Sequence, residues 1–329
     1  MWLKGIGNKL IAVVVAIAMV LAVAVPVLAG LKISPVSMEG QVGVGESSLS
    51  AITVTNTGGD KPVRVTVEVM GFGQTKMGST FPVKDDTSPC SAVSLIKVSP
   101  GEFDLEPGES QQVSVTATIP QEASGGKYAT IVVGQVPEPG VSMVSQVAVA
   151  VILTIAKSSL VRAGQITGVD VRREQPGEPL TFITSVCNQG NVHFRPIGEI
   201  IVSKDGQEAG RAEVDPHLIL PEYTRQHKTL WDAPEVKAGT YSFEMSLNVD
   251  GTELRAEGSF TLSETGDVVK VEGGVGEPSK LVVPAEGQPP APGAPQPINW
   301  QVLGAVIGGV LILGLMIYLR VARKRRGYR

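Results

Sequence analysis

Valine alternates with polar residues in several short stretches of this chain. Residues 63–69 run Val-Arg-Val-Thr-Val-Glu-Val, and residues 51–56 and 113–119 follow the same period of two. This alternation is typical of strands with one face in a core and the other in water. The apolar stretch 144–155 is too short to span a membrane and is predicted to be a buried strand that closes a first domain.

The order of these elements occurs twice. A strand ending in Asn-x-Gly, a turn containing proline, a further strand and a Gly-x-Tyr triplet recur with Asn56 and Tyr128 in one copy and Asn188 and Tyr241 in the other. Short strands with frequent turn residues predict an all-β fold of two tandem Ig-like β-sandwiches. We place domain 1 at 30–160 and domain 2 at 161–263. Tyr128 and Tyr241 are predicted to be structural corners, with a buried hydroxyl that bonds back to the chain.

The first residues have the pattern of a secretory leader. Lys4 and Lys9 precede the apolar run 10–25, and small residues suited to a leader-peptidase site come directly before Gly30. This predicts a signal peptide at 1–29. An uncleaved leader would instead act as a second membrane anchor.

The last residues have the pattern of a stalk and an anchor. Residues 264–299 are rich in glycine and proline and are predicted to form a disordered stalk. An apolar stretch predicts a transmembrane helix at 300–319, followed by a basic cytoplasmic tail at 320–329. The predicted anchor residues are aromatic side chains at both interfaces, a Gly-x-x-x-Gly pair and tail cations: Trp300, Tyr318, Gly304, Gly308, Arg320, Arg323, Lys324, Arg325 and Arg326.

These features predict a single-pass type I protein of the cell membrane, with an extracellular ectodomain and a cytoplasmic C-terminus. The lipid bilayer is then a partner through 300–319, and the glycine pair allows a weak homodimer of that helix. Residues 262–266 approach a sortase signal, but they lack its proline and lie far from the apolar stretch. A permanent membrane anchor is therefore favoured over attachment to the wall.

Charge is unevenly distributed. The net charge is −4, with +2 in the leader and +6 in the tail, so the remainder carries −12. An acidic ectodomain argues against nucleic acid as a partner.

Catalytic and metal-binding motifs are not found. His193, His217 and His227 lack the spacing of a zinc site, and Asp85-Asp86 supplies too few oxygens for calcium. No nucleophile motif occurs, so we predict no enzyme, no cofactor and no metal. Cys90 and Cys187 either bridge the two domains or remain two unpaired thiols, and the latter is favoured.

Domain 1 carries a specific set of turn and strand residues: Val98-Ser99-Pro100, Phe103, Leu105, Pro107-Gly108-Glu109-Ser110, Ile119-Pro120, Gly126 and Tyr128. This set resembles the first domain of the WxL-interacting surface proteins of Gram-positive bacteria. Residues 188–192, with Pro196, Gly198 and Ile200, are similar to that family's second domain. The resemblance implies peptidoglycan binding by domain 1, a second Ig-like domain, a membrane helix and a basic tail. It assigns no ligand-binding residue.

Three functions are compared. The leading hypothesis is a non-enzymatic, membrane-anchored cell-surface protein that binds a cell-wall polymer or a partner surface protein through its Ig-like domains. The alternative is an extracytoplasmic assembly factor, similar to a pilus chaperone, that offers a strand edge to a client. Residues 63–69, guarded only by Arg64 and Glu68, are the candidate edge. The third is a glycan-cleaving enzyme, for which the sequence offers no pair of carboxylates.

Overall fold

Strands make up almost all regular structure in the computed structural model, which describes residues 30–137, 146–175, 177–232 and 237–284. A single 3₁₀ turn at Val93–Leu95 is the exception within those ranges. The predicted fold of two β-sandwiches is confirmed. Both sandwiches belong to one compact unit.

Sandwich 1 contains eleven described strands. They are β1 Leu31–Ser34, β2 Ser37–Val42, β3 Gly45–Ser48, β4 Ile52–Asn56, β5 Val63–Gln74, β6 Thr80–Val83, β7 Ile96–Ser99, β8 Glu102–Leu105, β9 Ser110–Ile119, β10 Gly126–Gln135 and β11 Gln146–Ile155. The strands predicted from valine alternation correspond to β4, β5 and β9.

The strands of sandwich 1 form two sheets. The first has the order β1-β4-β9-β3, with β7 also paired to β9, and the second has the order β2-β11-β10-β5-β6, with β8 also paired to β5. Their inward faces enclose an aliphatic core that includes Ile52, Val113, Ile131 and Val151, each fully buried. Strand β2 is parallel to β11, whereas the other pairs are antiparallel.

Sandwich 2 contains nine described strands. They are β12 Leu160–Arg172, β13 Leu180–Asn188, β14 Ile197–Lys204, β15 Gln207–Val214, β16 Thr224–Trp231, β17 Gly239–Val249, β18 Thr252–Leu262, β19 Val268–Gly273 and β20 Ser279–Val283. The sheets have the orders β16-β13-β12-β20 and β15-β14-β17-β18-β19.

Aromatic rings fill the core of sandwich 2. Phe182 packs edge to face against Trp231, Phe243 and Phe260, and Tyr241 stacks on Phe260 with ring centroids 5.3 Å apart. Edge-to-face and offset-stacked rings are the favoured arrangements of aromatic pairs. The two sandwiches therefore share an architecture but differ in what packs their cores.

A buried asparagine organises the same corner in each sandwich. In sandwich 1, the Asn56 Nδ2 donates to the carbonyl oxygen of Leu105, and its Oδ1 accepts from the Gly58 N–H. Asn188 does the same with the carbonyl oxygen of Ile219 and the N–H of Gly190. Both side chains are fully buried and hydrogen-bonded, which avoids the cost of an unpaired polar group. The repeated element order thus has a repeated geometry.

The structure differs from the sequence prediction after residue 263. The segment predicted to begin a disordered stalk forms β19, which pairs with β18, and β20, which pairs with β12. The glycines between them allow close approach of the chain, because a Cβ at Gly276 would lie 2.0 Å from the Arg255 carbonyl oxygen. Glycine here serves packing, and the polar, glycine-rich composition was misleading.

The predicted leader, the distal stalk, the helix at 300–319 and the tail at 320–329 lie outside the described residues. Every predicted anchor residue from Trp300 to Arg326 falls in this part of the chain. Among the described residues, no helix is long and apolar enough to cross a membrane.

Candidate functional site

The first half of β11 has an open edge. Strand β2 pairs with β11 only from Ala150 to Ile155, and the Ala150 N–H donates to the Val36 carbonyl oxygen. Because the N–H and C=O groups of successive residues point to opposite sides of a strand, those of Gln146 and Ala148 point to the same edge as those of Ala150. No other strand among the described residues pairs with that edge.

The chain cannot cover this edge with β2 because β2 begins at Ser37. Before it, Pro35 carries no N–H, and β1 belongs to the opposite sheet, where it pairs with β4. Val36, at the end of the open edge, is 67% exposed. The edge therefore adjoins an exposed apolar side chain.

The open edge of β11 lacks the usual protection. Edge strands commonly carry charges or proline, which discourage pairing with other chains. Residues 146–149 contain neither. Each of the other terminal strands in the described sheets contains at least one: Lys32 in β1, Glu39 in β2, Glu46 in β3, Pro82 in β6, Lys97 in β7, Asp104 in β8, Arg211 in β15, Lys228 in β16, Lys270 in β19 and Lys280 in β20.

The edge predicted from sequence is not an edge. Residues 63–69 form the start of β5. One side pairs with β10 from Val65 onward. On the other side, Val63–Thr66 pair with β8, and the Val67 N–H donates to the Gly101 carbonyl oxygen. Alternation of valine reveals the strand but not its neighbours, which lie about 40 and 70 residues further along the chain.

A polar network joins the two sandwiches. The Tyr128 hydroxyl oxygen on β10 accepts from the His193 main-chain N–H at 2.7 Å and lies 3.1 Å from its Nδ1. The Glu39 carboxylate on β2 accepts hydrogen bonds from both terminal nitrogens of the Arg195 guanidinium, at 2.8 and 2.6 Å. Its Oε1 also lies 3.3 Å from the His193 Nε2. Such a bidentate pair fixes orientation as well as charge.

The hydrogen bonds assign the protons of this network. A neutral His193 carries its proton on Nε2, which faces the ionised Glu39 carboxylate, so its Nδ1 is the acceptor and the Tyr128 hydroxyl donates to it. Burial lowers the pKa of His193, which favours this neutral form. The hydrogen bond from Arg195 lowers the pKa of Glu39, which keeps it ionised.

A second set of contacts lies at the other side of the junction. Gln74 donates to the Leu218 carbonyl oxygen at 2.9 Å, and the Gln226 N–H donates to the Lys76 carbonyl oxygen at 2.7 Å. Between the two sets, Leu220 of sandwich 2 packs against Phe72 and Tyr128 of sandwich 1.

A pocket of about 180 Å³ opens at this junction. Phe72, Tyr128 and Tyr223 contribute rings, and Asp86 and Glu222 contribute carboxylates. Cys90 also lines it, and burial raises the pKa of its thiol, which disfavours the reactive thiolate. Both Cys90 and Cys187 are unbridged.

The two predicted corner tyrosines differ in their contacts. The Tyr241 hydroxyl donates to the Lys237 carbonyl oxygen at 2.9 Å, four residues upstream, and Tyr241 packs in the core of sandwich 2. Tyr128 instead points away from the core of sandwich 1 and contacts His193 of sandwich 2. Sequence reasoning gave both tyrosines one role, because the triplet Gly-x-Tyr does not reveal which face of the sheet the ring takes.

Within the described ranges, no three or more His, Cys, Asp or Glu side chains are grouped so as to hold a metal ion. The open edge of β11, Glu39 and the pocket were not singled out from the sequence. These features arise where distant segments of the chain come together, so no local sequence pattern indicates them.

Comparison with known proteins gives structural neighbours only. No protein-family model and no curated protein matches the chain. A chaperone–tip adhesin complex of CFA/I fimbriae is 14% identical, covers 68% of this chain and 93% of its own, and has a TM-score of 0.38. The CsuC–CsuE chaperone–tip adhesion subunit complex of Acinetobacter baumannii is also 14% identical, with coverage of 69% and 98% and a TM-score of 0.36. The periplasmic chaperone SfaE is 10% identical, with coverage of 75% and 100% and a TM-score of 0.32.

These comparisons correct the family resemblance that was inferred from the sequence. The resemblance to WxL-interacting surface proteins is wrong, since no family model matches and the structural neighbours are fimbrial chaperones. The peptidoglycan binding that it implied falls with it.

The predicted partners and location are corrected by the same comparison. Membrane lipid and peptidoglycan were the predicted partners, whereas the neighbours are described in complexes with tip subunits. The predicted place in the cell membrane is wrong as well, since a neighbour is described as a periplasmic chaperone. At such low identity, the function of this chain has to come from its own geometry.

Proposed function

We propose that this protein is a non-enzymatic, extracytoplasmic assembly factor that lends a strand edge to a client polypeptide. The observation that supports this most directly is the open, unguarded edge of β11 between Gln146 and Val149. The leader pattern at 1–29 supports the extracytoplasmic part of the proposal.

The edge has what strand addition requires. In this mode, main-chain hydrogen bonds supply affinity, and contacts with alternate side chains supply specificity. A client strand that pairs with Gln146 and Ala148 lies on the same edge of β11 as β2. The apolar side chains of the client contact Val36 at the end next to β2. An extended client segment with apolar residues at alternate positions fits this edge.

The client class follows from the same idea. The structural neighbours are chaperones described with tip subunits, so a pilus subunit is the client that we propose to test first. The proposal rests on the edge itself, and any secreted β-rich subunit with an unpaired strand would serve.

The experiment adds a synthetic strand to the full-length protein. The probe is a seven-residue peptide of alternating valine and threonine with uncharged ends. We expect the peptide to slow amide hydrogen exchange at Gln146 and Ala148, because pairing removes these N–H groups from water. The same peptide with N-methyl groups on its pairing edge should not bind.

The variant Ala148→Pro tests the edge directly. Proline is tolerated where a strand's N–H faces outward, so this change removes a donor of the open edge and leaves the pairing with β10 in place. We expect peptide affinity to fall at least about tenfold, since a main-chain hydrogen bond is lost and the ring obstructs the partner. Ala148→Ser keeps the N–H and should bind as the wild type does. Equal binding by Ala148→Pro and the wild type would overturn the proposal.

A further inference from the structure

The pocket at the sandwich junction has a chemical character of its own. Its rings come from Phe72, Tyr128 and Tyr223, and among the described residues that line it only Asp86 and Glu222, both acidic, are charged. Lys127 is close enough to affect the Cys90 thiol, but its ammonium donates to the Pro89 carbonyl oxygen and does not line the pocket. The pocket therefore combines aromatic walls with net negative charge.

Its size selects the kind of occupant. At about 180 Å³, it falls below the roughly 300 Å³ at which small-molecule sites begin. A single long side chain suits that volume better than a cofactor. Aromatic walls and carboxylates together favour a cation, through attraction to the ring faces and through charge-assisted hydrogen bonds.

Glu222 is an unexpected residue for its place in the fold. Its main-chain N–H donates to the Asn188 carbonyl oxygen, just as the Gly108 N–H donates to that of Asn56 in the other sandwich. The backbone takes a left-handed φ at both positions, 78° for Gly108 and 70° for Glu222. Sandwich 1 thus has the residue that this conformation favours, whereas sandwich 2 has a glutamate.

The carboxylates are available to a ligand. Glu222 is exposed, and its carboxylate has no hydrogen-bond or ion-pair partner among the described residues. Asp86 uses Oδ1 to accept from the Ser88 N–H at 3.0 Å, which fixes its orientation beside the pocket. One carboxylate is therefore held in place and the other is unpaired at the mouth.

We infer that this pocket binds a lysine or arginine side chain of a partner polypeptide, which on the proposed function is the client. This inference rests on the proposed function for the identity of the partner, but not for the chemistry of the pocket. The cationic head lies between Asp86 and Glu222, and the aliphatic stem lies against the rings. The pocket then adds side-chain specificity to the main-chain pairing at β11.

The test uses two small probes with the full-length protein, N-acetyl-arginine methylamide and its neutral counterpart N-acetyl-citrulline methylamide. We expect the arginine probe to shift the NMR signals of the Tyr223 and Phe72 rings and the citrulline probe to leave them nearly unchanged. Equal binding of the two probes would contradict a cation site.

Two substitutions at one position separate charge from backbone. Glu222→Gln removes the charge and keeps the left-handed backbone, and Glu222→Gly reproduces the residue found at 108. Both should weaken binding of the arginine probe about three- to fivefold, as expected for an exposed ion pair. Glu222→Gly should also raise the midpoint of urea unfolding, since glycine adopts this φ without strain. Unchanged binding by both variants, or a lower midpoint for Glu222→Gly, would assign Glu222 a merely structural role.

The same variants distinguish this inference from the proposed function. Ala148→Pro should weaken binding of the valine–threonine peptide and leave binding of the arginine probe unchanged, and Glu222→Gln should weaken binding of the arginine probe and leave binding of the peptide unchanged. If the arginine probe does not bind but the peptide does, the cation site is refuted and the proposed strand edge is not.

Discussion

At the scale of single residues, His227 is a titratable group inside the core of sandwich 2. Its side chain is buried beside Thr184 of the neighbouring strand, and within the described residues neither its Nε2 nor the Thr184 hydroxyl has a partner. Burial lowers the pKa of His227 to about 4, with smaller contributions in the same direction from His217 and Arg225. The folded protein therefore holds this imidazole neutral.

This predicts a loss of stability with acid that depends on one residue. Above pH 6.5 the imidazole is neutral in both the folded and unfolded states, so the full stability is present. As the pH falls from 6.5 towards 4, only the unfolded state binds the proton, and the free energy of unfolding falls by on the order of 2–3 kcal/mol. Urea unfolding at a series of pH values measures the slope. His227→Gln should flatten it, whereas His217→Gln, at the exposed stacking partner, should not. Identical slopes for the wild type and His227→Gln would exclude this origin.

At the scale of elements, β19 and β20 complete sandwich 2. Val268 and Val271 pack against its core, and β20 supplies the last strand of the sheet that contains β12. The Gly276 N–H donates to the Ile166 carbonyl oxygen at 2.8 Å, so the connection between the two strands is itself bonded to the sandwich. The segment is part of the fold.

Substitution of Gly276 should therefore destabilise sandwich 2. A Cβ at this position meets the Arg255 carbonyl oxygen, so Gly276→Ala should lower the free energy of unfolding by about 1–3 kcal/mol, as overpacked sites do. Gly168→Ala, where nothing lies within 4 Å of the added Cβ, is the matched control and should change it by less than about 0.5 kcal/mol. Urea unfolding followed by Trp231 fluorescence measures both. An unchanged free energy of unfolding in Gly276→Ala would mean that this segment does not pack against sandwich 2, as the stalk prediction holds.

The sequence predicted β4, β5 and β9 because period-two alternation is local. Residues 63–69 and 113–119 needed no knowledge of their neighbours to be assigned. The Asn-x-Gly corners were visible because each is a short motif that occurs twice. The open edge of β11 was not predictable, because it depends on where β2 stops pairing. Strands β19 and β20 were missed because glycine needed for close packing has the same composition as glycine in a linker.

At the scale of the whole described molecule, the Tyr128 hydroxyl makes a deeply buried polar side-chain contact between the two sandwiches. Tyr128 is 3% exposed, and it accepts the His193 main-chain N–H and directs its own proton to that ring. The ion pair of Glu39 with Arg195 lies beside it but is 40% exposed on both sides. Exposed pairs contribute little, so we assign the polar coupling at this side of the junction to Tyr128 and to the nearby Gly126 N–H, which donates to the Asn191 carbonyl oxygen at 2.7 Å.

Tyr128→Phe should therefore uncouple the sandwiches. The change leaves the His193 N–H without its partner, at a cost of about 1–3 kcal/mol. Scanning calorimetry should then show two separate transitions where the wild type shows one. Tyr241→Phe removes a hydroxyl inside sandwich 2 and should lower stability without adding a transition. A single transition in Tyr128→Phe would show that Leu220, the Gln74 contacts and the hydrogen bond from Gly126 to Asn191 suffice to couple the sandwiches.

The pairing of β20 with β12 has a consequence for the order in which the chain folds. Leu160 pairs with Val283, and Gly164 pairs with Ser279, so the first and last described strands of sandwich 2 are neighbours. Contacts between such distant segments form slowly, because a long loop must close before they contribute. As the chain emerges from the ribosome or a translocation channel, all strands of sandwich 1 are available once Ile155 has appeared, whereas sandwich 2 must wait for Val283. Sandwich 1, with its open edge, is thus ready well before its partner domain is complete.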